Sequence, residues 1–211
     1  MSENQQHTLP AESSAPSQTL PTHPTDAQRP LLTDEQLAHL PAQHPLRAGT
    51  AASSPMLQAL TGRPSSHRPV WFMRQAGRSL PEYRRVREGI PMLEACLTPE
   101  LAAEITVQPV RRHKVDAGIF FSDIVIPMKL AGVNVDIVPG KGPVLDRPVR
   151  TLEDVRALPE LTESALDPIR EAIAATVEML GDTPLIGFAG APFTVAAFMV
   201  EGGPSRDHLR P

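Results

Sequence analysis

The chain has 211 residues, 41% of them hydrophobic and 21% charged, with a formal net charge of -4 and a pI near 6.0. Those values fit an ordinary globular chain and exclude collagen-like and strongly basic, nucleic-acid-binding classes. The longest apolar run, Val195 to Val200, is far too short to span a bilayer, and no basic segment followed by an apolar core begins the chain, so a cytoplasmic protein without a membrane partner is expected.

Residues 1–53 are rich in Pro, Ser, Thr, Gln and Ala and carry no aromatic residue, so they read as a disordered tail that cannot bury enough surface to offset the entropy of ordering. Four of the seven histidines (7, 23, 39 and 44) lie there, scattered rather than spaced for a metal. The single cysteine, Cys96, has no cysteine partner for a disulfide or a metal site and is expected to be a buried structural thiol. From Pro55 the pattern changes. Met56, Leu57 and Leu60 share one face of a short helix that Gly62 can end, and Val70 to Met73 has the length and composition of a buried strand. That strand runs into Arg74-Gln75-Ala76-Gly77-Arg78. Between residues 63 and 87 there are seven arginines (63, 68, 74, 78, 84, 85 and 87) against one acid, Glu82, so the positive charge is local in a chain that is acidic overall.

Thr98-Pro99-Glu100 supplies an N-cap, a proline at the first helical position and an acid at the positive dipole end, predicting a helix towards Val115 with a kink or break at Pro109. Gly118 to Phe121 reads as a buried strand ending at Ser122-Asp123, and Val133 to Val138 as a shorter one before a plain turn at Pro139-Gly140-Lys141-Gly142-Pro143. Thr151 with Glu153 and Asp154 starts a short helix. Ile169, Ile173, Val177 and Leu180 then repeat at helical spacing until Gly181. Leu185 to Phe188 is a further buried strand, opening through Gly190-Ala191-Pro192-Phe193-Thr194 into an apolar helix that reaches Val200. Strand and helix alternate in the rhythm of a parallel α/β fold.

Three strand ends thereby offer polar residues to one face: the two arginines after the first, Ser122 and Asp123 after the second, and the Gly-Ala-Pro loop after the third. In (β/α) barrels ligands bind at that face. Forked guanidiniums around one carboxylate suit a polyanion that also carries N–H donors or a developing positive charge. Asp123 has a second reading, as the N-cap of the segment that follows.

Pro69 to Arg78 with Leu80-Pro81-Glu82-Tyr83-Arg84, the run Phe121-Ser122-Asp123-Ile124, Val138 to Pro143, and Gly187 to Thr194 with Glu201-Gly202-Gly203 together resemble the uroporphyrinogen decarboxylase family, in the family's own order over residues 56 to 208. The resemblance implies a TIM (β/α)8 barrel, a homodimer, no cofactor or metal, and decarboxylation of the four acetates of uroporphyrinogen to give coproporphyrinogen in haem biosynthesis. It gives Asp123 the pyrrole N–H groups. Arg74 and Arg78 would take the substrate carboxylates, with Gln75 beside them and Arg87 a further contact. An arginine is a poor proton donor because its pKa is above about 12, so a substrate carboxyl or a trapped water rivals Arg74 as the acid.

Where many family members carry a tyrosine this chain has Phe198, which can shape the cavity but not donate a hydrogen bond. A (β/α)8 barrel typically takes about 250 residues, so residues 54–211 are expected to form only its amino-terminal half, with three or four of eight strands and the tail in front. Two other functions remain in view: a non-catalytic tetrapyrrole-binding fragment, and a zinc methyltransferase of the barrel's wider kin, which the isolated Cys96 disfavours.

Overall fold

The computed structural model describes residues 35, 38–42, 51, 53–73 and 75–204. Most of the expected tail, and Arg74, lie outside the described residues. The element order is α1 (Pro55–Leu60), α2 (Pro81–Val86), α3 (Met92–Leu97), α4 (Pro99–His113), β1 (Gly118–Ile119), α5 (Ile126–Leu130), β2 (Val135–Val138), β3 (Gly142–Leu145), α6 (Leu152–Arg156), a 3-10 turn (Ser164–Leu166), α7 (Asp167–Leu180), β4 (Leu185–Ile186) and α8 (Pro192–Glu201).

The long helix α4 begins at Pro99 with Glu100 in its first turn and ends with Arg111, Arg112 and His113, so charges of both signs oppose its dipole. It buries Ala102, Ala103, Ile105, Thr106, Val107, Gln108 and Pro109 in one stretch and packs against α7 and β1. Two expectations change here. The helix runs on through Pro109 without a break, because that ring is fully buried and its packing outweighs one lost backbone bond. Thr98 holds the N-cap position without a side-chain cap; its hydroxyl instead donates 2.9 Å back to the Glu94 carbonyl of α3, which ends just before it.

β1 and β4 pair in parallel, Gly118 opposite Leu185 and Ile119 opposite Ile186, with α7 in the connection between them. This is the α/β fold the alternation predicts. Gly118 lets the end of α7 close on the strand, since a Cβ there would lie 3.2 Å from Leu180 Cδ1. The β2–β3 hairpin is antiparallel, and its turn is the plain one expected, with Gly140 and Gly142 at φ 79° and 90°. The hairpin end anchors α8, Leu145 N–H donating to the Gly202 carbonyl and Val149 N–H to that of Met199. α6 starts after Thr151, as its sequence predicts, and the structure adds a complete capping box between Thr151 and Asp154. Gly62 at φ 70° follows α1, and Gly181 at φ 59° closes α7.

Three apolar expectations are corrected. Val70 to Met73 is not a strand: after a two-bond tie to Asp116 it leaves the sheet, and Val70, Trp71, Phe72 and Met73 are all exposed, Met73 by 76%. An apolar run becomes a buried strand only where a neighbour takes its N–H and C=O groups, and beyond Val70 none does so among the described residues. Strand β4 is two residues long rather than four, with Phe188 exposed for the same reason. Leu60 points outward, leaving Met56 as the buried residue of α1.

Candidate functional site

The site is built at the carboxyl end of β1. Phe120 N–H makes a ladder bond to the Ile186 carbonyl (3.0 Å), and one residue on, the Phe121 N–H turns away and donates to the Thr106 hydroxyl of α4 at 2.9 Å. Ser122 and Asp123 follow, both half-buried. Asp123 Oδ1 accepts the Val125 N–H at 3.0 Å, and the Asp123 carbonyl accepts the Ile126 N–H. The side chain thus closes a turn rather than capping α5, whose N-cap is Val125 without a side-chain cap bond. The turn uses one carboxylate oxygen and leaves Oδ2 with no hydrogen-bond partner among the described residues.

The loop after β4 closes on this turn. A Cβ at Gly190 would stand 3.0 Å from Ile124 Cβ and 2.6 Å from Val195 Cγ2, so the glycine is what lets the backbone of the Gly-Ala-Pro loop reach the residue after Asp123. Two of the three expected strand ends thus meet.

The arginine segment arrives by a different route. Asp116 Oδ2 accepts the Val70 N–H at 2.7 Å, Asp116 Oδ1 meets His67 Nε2 at 2.7 Å, and the Asp116 N–H donates to the Val70 carbonyl. Beyond that clasp, Gln75 Nε2 donates to the Ala117 carbonyl (2.9 Å), and its buried Oε1 has no partner among the described residues. Arg78 is exposed and makes no ion pair with Asp123 among the described residues. Arg87 is better placed. Its guanidinium lies 5.7 Å from the Tyr83 ring centre, and the Tyr83 and Phe121 rings meet edge to face at 6.1 Å. The buried Nε of Arg87 has no hydrogen-bond partner among the described residues.

Cys96 is buried in the same core cluster as Tyr83 and Phe121. Burial first, and then the negative charge of Asp123, push its thiol up to about 12, while Arg87 pulls the other way. The one acid in the arginine-rich stretch does not neutralise it: Glu82 is held in a two-pronged pair by Arg112 of α4, Nε to Oε1 at 2.5 Å and Nη2 to Oε2 at 2.8 Å. Phe198 is half-buried on α8. Sequence reasoning missed Tyr83 and Thr106; the available signal for Thr106 was a hydroxyl standing on the otherwise apolar face of α4.

An apolar cavity of about 540 Å³ adjoins this turn, lined by Phe120, Ser122 and Gly190 as well as by Ile169, Ile173 and Val177 of α7. No arginine among the described residues lines it. Carboxylates entering it would lose hydration with nothing in return, so it does not suit a polyanion.

Parallel strands joined through a helix, with Asp123 beyond the carboxyl end of one of them and Arg87 linked to the same turn through the Tyr83 and Phe121 rings, define an α/β protein with a candidate strand-end site. The solved structure of a methyltransferase from Methanosarcina mazei has a similar fold, with a TM-score of 0.53 and 22% identity, covering 69% of this chain and 44% of that one; at that identity the likeness concerns fold alone. Residues 51–210 match the family model for uroporphyrinogen decarboxylase (URO-D), and the chain belongs to that family. It is similar to uroporphyrinogen decarboxylase from Arthrobacter sp. (strain FB24), 73% identical over 163 residues that cover 77% of this chain and 47% of that protein. To the protein of the same name from Saccharopolyspora erythraea it is 62% identical over 159 residues, 75% of this chain and 44% of the other. The chain spans about half the length of the curated relatives it matches.

Proposed function

We propose that the chain is the amino-terminal part of a (β/α)8 barrel, folded from residue 54 onward, and that the whole protein removes the four acetate carboxyls of uroporphyrinogen III stepwise to give coproporphyrinogen III. The observation that carries this reading is the family match over residues 51–210, joined to the 73% identity with the Arthrobacter sp. relative. Exposure of the apolar run Val70 to Met73 supports the barrel part, since the remaining units of a barrel would cover such a surface. In the same reading the whole protein is a homodimer of the cytoplasm; no helix among the described residues is long and apolar enough to cross a membrane.

The chemistry follows from the residues. A pyrrole acetate loses CO2 only if the electrons of the breaking C–C bond have a sink. Protonation of the adjacent pyrrole carbon provides one, as a cationic ring. The bonding pair flows into that ring as CO2 departs, a second proton converts the resulting exocyclic methylene to a methyl group, and the first proton then leaves the ring carbon to restore the aromatic pyrrole, so that one proton is consumed for each CO2 released. Asp123, with Oδ1 fixed by the Val125 N–H, offers Oδ2 to the pyrrole N–H groups and stabilises the ring cation once water is excluded. Arg74, Arg78 and Arg87 bind and orient the eight substrate carboxylates, with Gln75 beside them. Phe198 contributes shape. The reaction as written needs no cofactor or metal from these residues.

The test is anaerobic incubation of the protein, expressed from its own gene, with uroporphyrinogen III, followed by separation of products by carboxyl number. Ordered appearance of the seven-, six-, five- and four-carboxyl products is expected, strongly slowed but still measurable in Asp123→Asn. Absence of CO2 release from folded protein overturns the reading. The open apolar run at 70–73 favours one second reading, a binder without turnover, for which the same preparation would bind uroporphyrin saturably and release no CO2.

A further inference from the structure

We infer that Thr106 is a positioning residue that sets where Asp123 stands; the inference rests on the reading of Asp123 as the group that faces the pyrroles. Thr106 is 1% exposed in the middle of α4, a place where valine or isoleucine would pack as well and cost no buried hydroxyl. Its hydroxyl is used twice, donating to the Ala102 carbonyl at 2.7 Å and accepting the Phe121 N–H at 2.9 Å. The second bond is the informative one. It falls immediately after the last rung of the β1–β4 ladder, the bond from Phe120 N–H to the Ile186 carbonyl, and two residues before Asp123. Beyond that rung the backbone of the turn is tied to α4 through Thr106.

The same bond fixes Phe121, whose ring meets Tyr83 edge to face, and Tyr83 lies beneath the Arg87 guanidinium. Thr106 therefore determines the spacing between the carboxylate and the guanidinium as well as the height of Asp123 above the sheet. Thr176 of α7 provides the contrast. It is equally buried and makes the same back-bond, to the Ala172 carbonyl at 2.6 Å, but accepts no N–H from any strand among the described residues. It is a helical threonine without a positioning task.

Four substitutions test this on the protein expressed from its own gene, with activity normalised to the folded fraction read by circular dichroism. Thr106→Val removes the acceptor at constant shape and is expected to lower kcat/KM for uroporphyrinogen III by about 10- to 100-fold, the range that follows when a catalytic group is misplaced by about 1 Å. Thr106→Ser keeps the hydroxyl and is expected to restore activity to within about threefold, while Thr176→Val leaves it unchanged. In an Asp123→Asn background, Thr106→Val should add no further loss, because the group it positions is already disabled. Amide exchange across residues 118–125 should accelerate in Thr106→Val and not in Thr176→Val. If Thr106→Val proves insoluble, Thr106→Ala, which removes the acceptor without adding apolar bulk, reads the same quantities.

Losses that multiply in the Asp123→Asn background, or equal damage from Thr106→Val and Thr176→Val, overturn the inference while leaving the role of Asp123 intact. Full activity of Asp123→Asn alone overturns the reading beneath it.

Discussion

Replacing Gly190 by alanine tests the contact that joins two strand ends into one site. The added methyl would meet Val195 Cγ2 at 2.6 Å, Ile124 Cβ at 3.0 Å and the Ile124 carbonyl oxygen at 3.4 Å. Carbon atoms rest at about 3.5–4.0 Å, so the methyl is too close by about 1 Å on the helix side and by about half that on the turn side. Val195 is β-branched within α8 and has one strongly preferred rotamer, so it cannot swing aside. Ile124 follows Asp123 directly and can retreat only by carrying the turn with it. Overpacking of this kind costs about 1–3 kcal/mol, equivalent to a fall in Tm of about 2–12 °C for a chain of this size. Gly187→Ala is the matched control, because nothing lies within 4 Å of its added Cβ and its φ is outside the left-handed region. Urea unfolding followed by circular dichroism measures the first effect, and kcat/KM of the folded fraction measures displacement of Asp123. Gly190→Ala with the parent's midpoint and activity, or Gly187→Ala as damaging as Gly190→Ala, would refute the claim that loop and turn are in contact at the site.

Three further outcomes follow from the local chemistry. The fork of Arg112, helped by the backbone N–H at the start of α2, holds the Glu82 carboxyl down to about 2 from its ordinary 4.5; a depressed acid contributes stability that is full above pH 4.5 and lost as pH falls towards 2, so Glu82→Gln should flatten that part of a Tm-against-pH curve, and an unaltered acid limb contradicts it. Cys96, fully buried with its thiol pushed up to about 12, should resist iodoacetamide at pH 8.5 until the protein unfolds, and alkylation of the native protein at the rate of a free thiol would show the burial to be wrong. Thr151→Ala breaks the capping box of α6 and should lower stability by about 1 kcal/mol without changing kcat/KM, since α6 contributes no residue to the proposed site; urea midpoints and initial rates check both halves.

The sequence was most legible where the signal is local. The start of α6 at Thr151, the proline start of α4 and the glycine stops after α1 and α7 depend on neighbours within four residues, and the fold realises each one. It was least legible where a partner distant in sequence decides the outcome. The composition of Val70 to Met73 states that the run can be buried, not that another strand lies beside it, and among the described residues none does. Thr98 has the right identity for a cap, yet the end of α3 captures its hydroxyl first. Pro109 carries a helix-breaking signal that the surrounding core overrides. Thr106 escaped notice because helical periodicity marks its position as core and is silent about what a buried hydroxyl will meet.

Asp123 shows why a local structural bond and the proposed function need not compete. Oδ1 is held by the Val125 N–H in a turn ahead of α5, which orients the carboxylate, and Oδ2 has no hydrogen-bond partner among the described residues. Glu82 makes the complementary point with charge. Seven arginines and one acid between residues 63 and 87 would lose part of their positive field if that acid folded back among them. Instead Arg112, from outside the stretch, takes the acid and fastens α2 to α4. A short surface ion pair adds little stability by itself. Its effect here is to occupy the one carboxylate of the stretch, so among the described residues no acid between 63 and 87 pairs with the arginines of that stretch.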